Sequence, residues 1–320
     1  MSDRQIKARF LEILNPSSTS TSTTHQSSAR IKTSSDISDQ AKRLRRLVLT
    51  AGIPDEPNLP PSQPSIRARV WKLLLHVDHL DSADYLRLVD KGPSGVSTKI
   101  KNDTFRTLAT DTDFKGKVRE DMLIRLLEAF VWRSQEKALE MEGGLDFSYV
   151  QGMNVLSAPF LYTLPTQVEA FACFSTFIET SCPQYVQRDL RGVHRGLELL
   201  DKCLEVADPE LYAHLRSKSL SAELYAFPSA LTLCACTPPL DQVLKLWDFL
   251  LAFGVHLNIL CVIAQLLMMR QELMESPSPM KLLRIFPPLQ ANSIIGITLA
   301  LAKDLPEDLY KELVRHPVSG

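Results

Sequence analysis

The chain has 320 residues, 45% of them hydrophobic and 23% charged, enough apolar material to bury a sizeable core in one large domain or two small ones. A formal net charge of -1 gives no whole-chain attraction to nucleic acid or to an anionic membrane. Six cysteines, at 173, 182, 203, 234, 236 and 261, form no CxxC pair and have no histidine at ligand spacing, which argues against a disulfide framework or a zinc site and fits a reducing compartment.

Residues 1–15 carry no apolar secretory core and read as a short amphipathic helix (Ile6, Phe10, Leu11, Ile13, Leu14) that Asn15-Pro16 ends. A Ser/Thr-rich tract then runs to about Ser38, with too few apolar groups to offset its ordering entropy. Residues 1–38 are therefore expected to be a tail containing a disordered tract, and 39–316 the folded domain. Asp36 or Ser38 can cap a helix through Ala41, Leu44, Leu47 and Val48 to Gly52, and Pro54 to Pro64 follows as an extended loop. Ser65 to Leu75 begins the first strongly periodic core helix, where Arg67 shares the buried face with Val70, Trp71 and Leu74 and needs a partner for its guanidinium.

A helix over 78–90 is broken at Lys91-Gly92-Pro93, a turn is expected from Asp113 to Gly116, and Arg119 to Trp132 is again amphipathic. Beyond residue 154 the pattern is almost wholly helical: 167–181, 186–207, 210–218, 240–253, 256–273, 280–286 and 294–304 each show long apolar stripes. The most apolar run, Leu257 to Met269, is interrupted by Asn258 and Gln265 and falls short of the roughly 20 residues needed to span a bilayer. It reads as a buried helix, so no direct membrane insertion is expected. Without alternating strands or a fixed repeat, the fold class is all-α, a single large multi-helix domain.

Two places could carry chemistry. Phe147-Ser148-Tyr149-Val150-Gln151-Gly152-Met153-Asn154 presents an amide between an aromatic and a glycine just ahead of a buried apolar run. Gln is a weak acid, base or nucleophile, so its use is to orient a water or a backbone group. Asp103 and Arg106 are spaced to pair on one helix face, with Ile100 a further three back to pin the segment to the core. An arginine aimed by an acid, together with a glutamine that orients water, suits phosphoryl transfer in a nucleotide held by another protein. No Walker-type glycine loop is present to hold a nucleotide within the chain itself.

Ile100-Lys101-Asn102-Asp103-Thr104-Phe105-Arg106 resembles the IxxDxxR motif, and Tyr149-Val150-Gln151-Gly152 the YxQG motif, of TBC-domain GTPase-activating proteins. Arg67-Ala68-Arg69-Val70-Trp71, Ala226 to Thr232, Val243 to Asp248 and Leu283 to Pro288 resemble the same family in the same order. The wording around these motifs, such as Leu250 to Leu260, is similar to the fungal catalytic subunit of a two-component GAP that restrains mitotic exit and septation. The resemblance implies a Ras-like small GTPase target, a scaffold subunit acting with this chain, and recruitment from the cytoplasm to the spindle pole body through partners. It also implies Arg106 as an arginine finger and Gln151 as a glutamine finger, with Asp103 orienting Arg106, and Tyr149 and Gly152 shaping the loop. No cofactor of the chain's own is implied, since GTP and Mg²⁺ belong to the partner. Leu75-His76 departs from the family's Leu-Gly pair and puts that helix end in question; Phe227-Pro228 departs from an aromatic pattern.

Other readings stay open at this level. The same fold could bind a GTPase without accelerating hydrolysis, or act on a Rab protein in membrane traffic. Asp111 and Asp113 read as caps, Cys234 and Cys236 as core residues, and His194, His214 and His256 as structural or surface groups.

Overall fold

The computed structural model describes residues 2–15, 34–57, 59–60, 63–140 and 148–319. Most of the Ser/Thr tract expected to be disordered lies outside them. The described chain forms nineteen α-helices and no strand, as the apolar periodicity predicts.

Helices α1 (Asp3–Leu14), α2 (Ser34–Ala51) and α3 (Ile66–Leu74) build a small cluster at one side of the molecule. The sequence reading places α1 in a tail ahead of the domain, but Phe10, Ile13 and Leu14 are buried against Leu44, Leu47, Val48 and Val70. Polar ties secure the contact: Gln40 donates to the Ile13 carbonyl at 2.5 Å and Arg69 to the Asn15 side chain at 2.6 Å. The first helix therefore belongs to the folded body. Its partners are remote in sequence, which is why local pattern alone does not reveal the docking.

Arg67 finds the partner its position demands. Its Nε lies 3.1 Å from both carboxylate oxygens of Asp248, and Trp71 Nε1 donates to the same carboxylate at 2.7 Å. Asp55 takes Nη1 at 3.1 Å. Burial pushes the Asp248 carboxyl up, to about 6, against the pull of Arg67, so it is still ionised at neutral pH. This pair ties α3 to a later core helix.

The end of α3 settles the question raised by His76. His76 adopts φ 56°, the left-handed conformation a glycine would supply, and the Val77 N–H returns to the Lys72 carbonyl at 2.9 Å. The helix thus terminates as a glycine-capped one would, at the cost of strain in a non-glycine residue.

Next come α4 (Ser82–Asp90), α5 (Ser97–Thr104), α6 (Thr112–Lys117) and α7 (Glu120–Glu140). Helix α6 replaces the turn expected at 113–116. Asp111 caps it by accepting the Phe114 N–H at 2.8 Å, and buried Phe114 anchors it despite Gly116. The chain continues with α8 (Met153–Thr163), α9 (Gln167–Ser181) and α10 (Arg191–Ala207), followed by α11 (Pro209–Ser217), the short α12 (Ala222–Tyr225) and α13 (Phe227–Leu231), and α14 (Leu240–Phe253). Leu190, with φ 50°, starts α10 later than the apolar stripe suggests.

The run expected as one helix over 256–273 divides into α15 (Asn258–Met268) and α16 (Arg270–Glu275), with the break at Met269. Helices α17 (Pro279–Leu283), α18 (Ala291–Asp304) and α19 (Glu307–Arg315) complete the chain. The core is centred on edge-to-face and stacked aromatic pairs, Trp71 with Phe160, Phe160 with Trp247, and Phe177 with Trp247, at centroid distances of 5.4–5.6 Å. Among the described residues no helix is long and apolar enough to cross a membrane.

Candidate functional site

Helix α5 is short and is held by Ile100, which is fully buried. It ends at Thr104, so Arg106 sits on the turn beyond it and not on the helix face that the three-residue spacing suggests. The pairing nevertheless forms: Arg106 Nη2 donates to Asp103 Oδ1. The Asp103 side chain is only 9% exposed while that of Arg106 is 54% exposed. A buried acid thus holds an arginine whose other donors face solvent.

The second carboxylate oxygen, Asp103 Oδ2, accepts the Tyr149 hydroxyl at 2.8 Å. Burial, reinforced by this bond to a carboxylate, pushes the Tyr149 phenol well above its ordinary range, so it remains a donor. Two residues later Gln151 is exposed, and Gly152, with φ +105°, stands at the N-cap just ahead of α8. A Cβ at Gly152 would lie 2.9 Å from Leu231 Cδ2, so both the backbone conformation and the space require glycine there. Among the described residues Gln151 has no hydrogen-bond partner, which leaves its amide available.

Two side chains to which the sequence reading gave no role complete the arrangement. Asn154 Nδ2 donates to Thr107 Oγ1 at 2.8 Å and to the Asp103 carbonyl at 3.3 Å, while its Oδ1 accepts the Gly152 N–H at 3.1 Å. Thr107 Oγ1 in turn donates to the Asp103 carbonyl at 3.0 Å. Asn154 and Thr107 therefore clasp the Arg106 turn to the Gln151 loop from beneath. The available signal was only their polarity beside apolar neighbours, and the contacts that matter span about fifty positions.

Asp103, Arg106, Gln151 and Gly152 line one groove of about 650 Å³. The same groove is lined by apolar residues, Leu190, Phe227, Pro228, Leu231 and Leu240 among them. Arginine donors and an amide at one end of an open groove can meet an anionic oxygen and a water on a second molecule, but they include no nucleophile. Among the described residues no group of three or more His, Cys, Asp or Glu could hold a metal ion. Asp111 acts as the α6 cap, and His194 pairs with Glu223 at 3.0 Å. Cys236 corrects one expectation: it is exposed at the groove while the other five cysteines are buried.

The profile of the Rab-GTPase-TBC domain matches residues 64–274. The chain belongs to the Rab-GTPase-TBC family. Within the TBC-domain proteins it is 49% identical over 252 residues to "Cell division control protein 16" of Schizosaccharomyces pombe, covering 79% of this chain and 81% of that protein. It is 41% identical over 279 residues to "Mitotic check point protein BUB2" of Saccharomyces cerevisiae, covering 86% and 90%. The solved Ypt/Rab-GAP domain of Gyp1p superposes with a TM-score of 0.68 over 94% of this chain and 98% of that one. At 18% identity this likeness establishes that the TBC fold is shared.

Proposed function

We propose that this chain is a GTPase-activating protein that supplies Arg106 and Gln151 in trans to a Ras-like small GTPase and thereby restrains mitotic exit and septation. One observation carries the reading: Asp103 holds Arg106 with one carboxylate oxygen and Tyr149 with the other, so that an exposed arginine and an exposed glutamine line the same groove. Arg106 would neutralise charge developing on the transferred phosphoryl group, and Gln151 would orient the attacking water. Asp103, Asn154 and Thr107 hold the Arg106 side chain and the backbone of the Gln151 loop before the partner arrives, so the ordering left to the encounter is that of the Gln151 side chain. GTP and Mg²⁺ are the partner's, and this chain contributes positioning and electrostatics only.

The mitotic assignment is supported by the two relatives whose names place them in cell-division control. On the same grounds the chain is proposed to act with a scaffold subunit and to be recruited from the cytoplasm to the spindle pole body through partners. The name of the matched domain supports a second target class, a Rab GTPase.

Single-turnover GTP hydrolysis by a mitotic-exit GTPase tests the mechanism, with wild type, Arg106→Ala and Gln151→Ala, each with and without the scaffold. Wild type should accelerate hydrolysis and both variants should lose that acceleration while still binding. Binding without any acceleration, in every combination, would reduce the chain to a GTPase-binding module. A parallel panel of Rab proteins separates the two targets, because acceleration confined to that panel removes the mitotic one.

A further inference from the structure

A second groove holds arginines that the fold does not use. Helices α1 and α2 lie antiparallel, as the contacts of Ile13 with Gln40 and of Glu12 with Arg43 show, and an open groove of about 270 Å³ runs between them. Its apolar lining is the buried Ile13 and Leu47, and its charged lining is Arg9, Arg43 and Arg46 against Glu12 alone. Arg43 meets Glu12 at 3.5 Å, with both side chains more than half exposed. Among the described residues neither Arg9 nor Arg46 has an ion-pair or hydrogen-bond partner for its side chain. Three guanidinium groups thus share one opening with two positive charges unanswered. The guanidinium fork matches the oxygens of carboxylates and phosphates, and a phosphomonoester dianion carries enough charge to answer both.

The two helices that build this groove are the two that residues 16–33 join. Eleven of those eighteen residues are serine or threonine, eight of them consecutive from Ser17 to Thr24, and none is Asp or Glu. Arg30 and Lys32 make the unmodified tract cationic, so it offers the groove no counter-charge. One phosphoryl group on a seryl or threonyl oxygen adds about -1.5 to -2 charge at neutral pH and three acceptor oxygens. Length permits the return. Arg9 lies six residues before Asn15, about 9 Å along the helix axis, and an extended chain covers about 3.3 Å per residue. A residue from about Ser18 onward can therefore bring a phosphate back to Arg9 and Arg46, and the short tether holds it there at an effective concentration in the millimolar range.

We propose that the groove between α1 and α2 is a phosphate-binding site whose occupant is a phosphorylated serine or threonine from residues 16–33 of the same chain. The inference goes beyond the GTPase reading and does not depend on it. A protein kinase makes the ester: the terminal phosphoryl group of a nucleoside triphosphate moves onto the side-chain oxygen, the hydroxyl proton is lost and the nucleoside diphosphate leaves. Arg9 then meets the phosphate from α1, and Arg43 and Arg46 meet it from α2, so one anion ties the two helices together. Helix α1 is otherwise fastened to α2 and α3 mainly by Phe10, Ile13 and Leu14. The phosphate adds a second fastening that a kinase and a phosphatase can switch on and off.

The test uses the full chain with phosphoserine encoded at Ser18, Ser20 or Ser22, read by ³¹P NMR and by hydrogen exchange of α1. At one or more of the three positions, the second phosphate ionisation should fall about 0.5 to 1 pH unit below its value near 6 in the free phosphopeptide. The α1 amides should exchange about tenfold more slowly than in the unmodified chain. Arg9→Gln combined with Arg46→Gln should abolish both effects, and Arg46→Lys should keep part of them. Arg4→Gln, at an exposed position of α1 outside the groove, should change neither. Arg9 and Arg46 are themselves exposed, so the double variant should keep the urea midpoint of the unmodified chain.

Both readings should be independent of protein concentration, as a contact within one chain requires. Dependence on concentration would overturn the occupant, because the phosphate would then come from a second molecule. Titration and exchange like those of the free peptide and the unmodified chain, at all three positions, would overturn the site itself. Binding of the unmodified chain to phosphatidylserine vesicles that the double variant loses, with the phosphate readings unmoved, would also overturn it by assigning these arginines to a membrane surface.

Discussion

The molecule contains two Asp–Arg pairs of the same construction put to opposite uses. Asp248 receives Arg67 and, on the same carboxylate, the indole N–H of Trp71; Asp103 receives Arg106 and the hydroxyl of Tyr149. In both, an aromatic donor fixes the acid and the acid aims the arginine. The difference lies in exposure: the Arg67 side chain is 11% exposed and that of Arg106 is 54% exposed. A buried guanidinium spends all its donors inside the protein, whereas an exposed one keeps donors for a partner. The first pair fastens helices and the second holds an arginine at the surface.

Exchanging the readouts gives the largest expected effects. Arg106→Ala should lower accelerated hydrolysis by about 10³ to 10⁵, roughly 4 to 7 kcal/mol of barrier, with little change in the urea midpoint. Arg67→Ala should do the reverse, costing about 3 to 5 kcal/mol of stability by leaving Asp248 buried without its counter-charge. Its hydrolysis rate should be retained at temperatures where it is folded. If either variant moves both quantities equally, the division between the pairs fails.

Acid probes a third region, the buried rings of His256 and His316 near α19. Burial lowers both to about 4, from an ordinary value near 6.5. The unfolded chain therefore takes up these protons first. The stability they contribute is complete above pH 6.5 and is lost as pH falls toward 4, at up to about 3 kcal/mol for each ring. Asp248 works the other way. Its folded value of about 6 exceeds the unfolded one, so the folded state gains relative stability as pH falls from about 6 toward 4. Urea melts between pH 7 and 4.5 should show net destabilisation, and His316→Gln should flatten the slope.

Smaller effects distinguish the parts of the clasp. Gly152→Ala meets both a left-handed backbone and Leu231, and is expected to cost about 1 to 3 kcal/mol of stability while displacing Gln151 enough to slow hydrolysis. Tyr149→Phe deletes one hydrogen bond to Asp103 Oδ2, at about 1 to 2 kcal/mol, and should slow hydrolysis less than Arg106→Ala does. Thermal melts run beside single-turnover assays check both.

Long amphipathic helices such as α9 and α14 were legible from period alone, because each buries one continuous stripe, while α7 runs eight residues beyond the expected end at Trp132, to Glu140. Short elements were not: α6, α12 and α13 span six residues or fewer, too few for a period to emerge. Arg67 announced that it needed a partner without naming Asp248, 181 positions away. Arg106 and Gln151 stood out by residue type and motif. Their meeting in one groove depends on Tyr149, Thr107 and Asn154 reaching across about fifty residues, and hydrogen bonds of that span leave no trace in local pattern. Phe227, Pro228 and Leu231 were quoted only within a family stretch, since nothing in Ala226 to Thr232 says that they line the groove of Arg106 and Gln151.

The two oxygens of Asp103 have a genetic consequence. Because one holds the arginine and the other holds the loop of the glutamine, a single codon controls both of the proposed finger residues. Loss of that codon should resemble a double mutant, and adding Tyr149→Phe to Asp103→Ala should worsen it little. A descendant that drifted at this position would be released from selection on Arg106 and Gln151 together, and would be free to keep the groove as a grip without a motor.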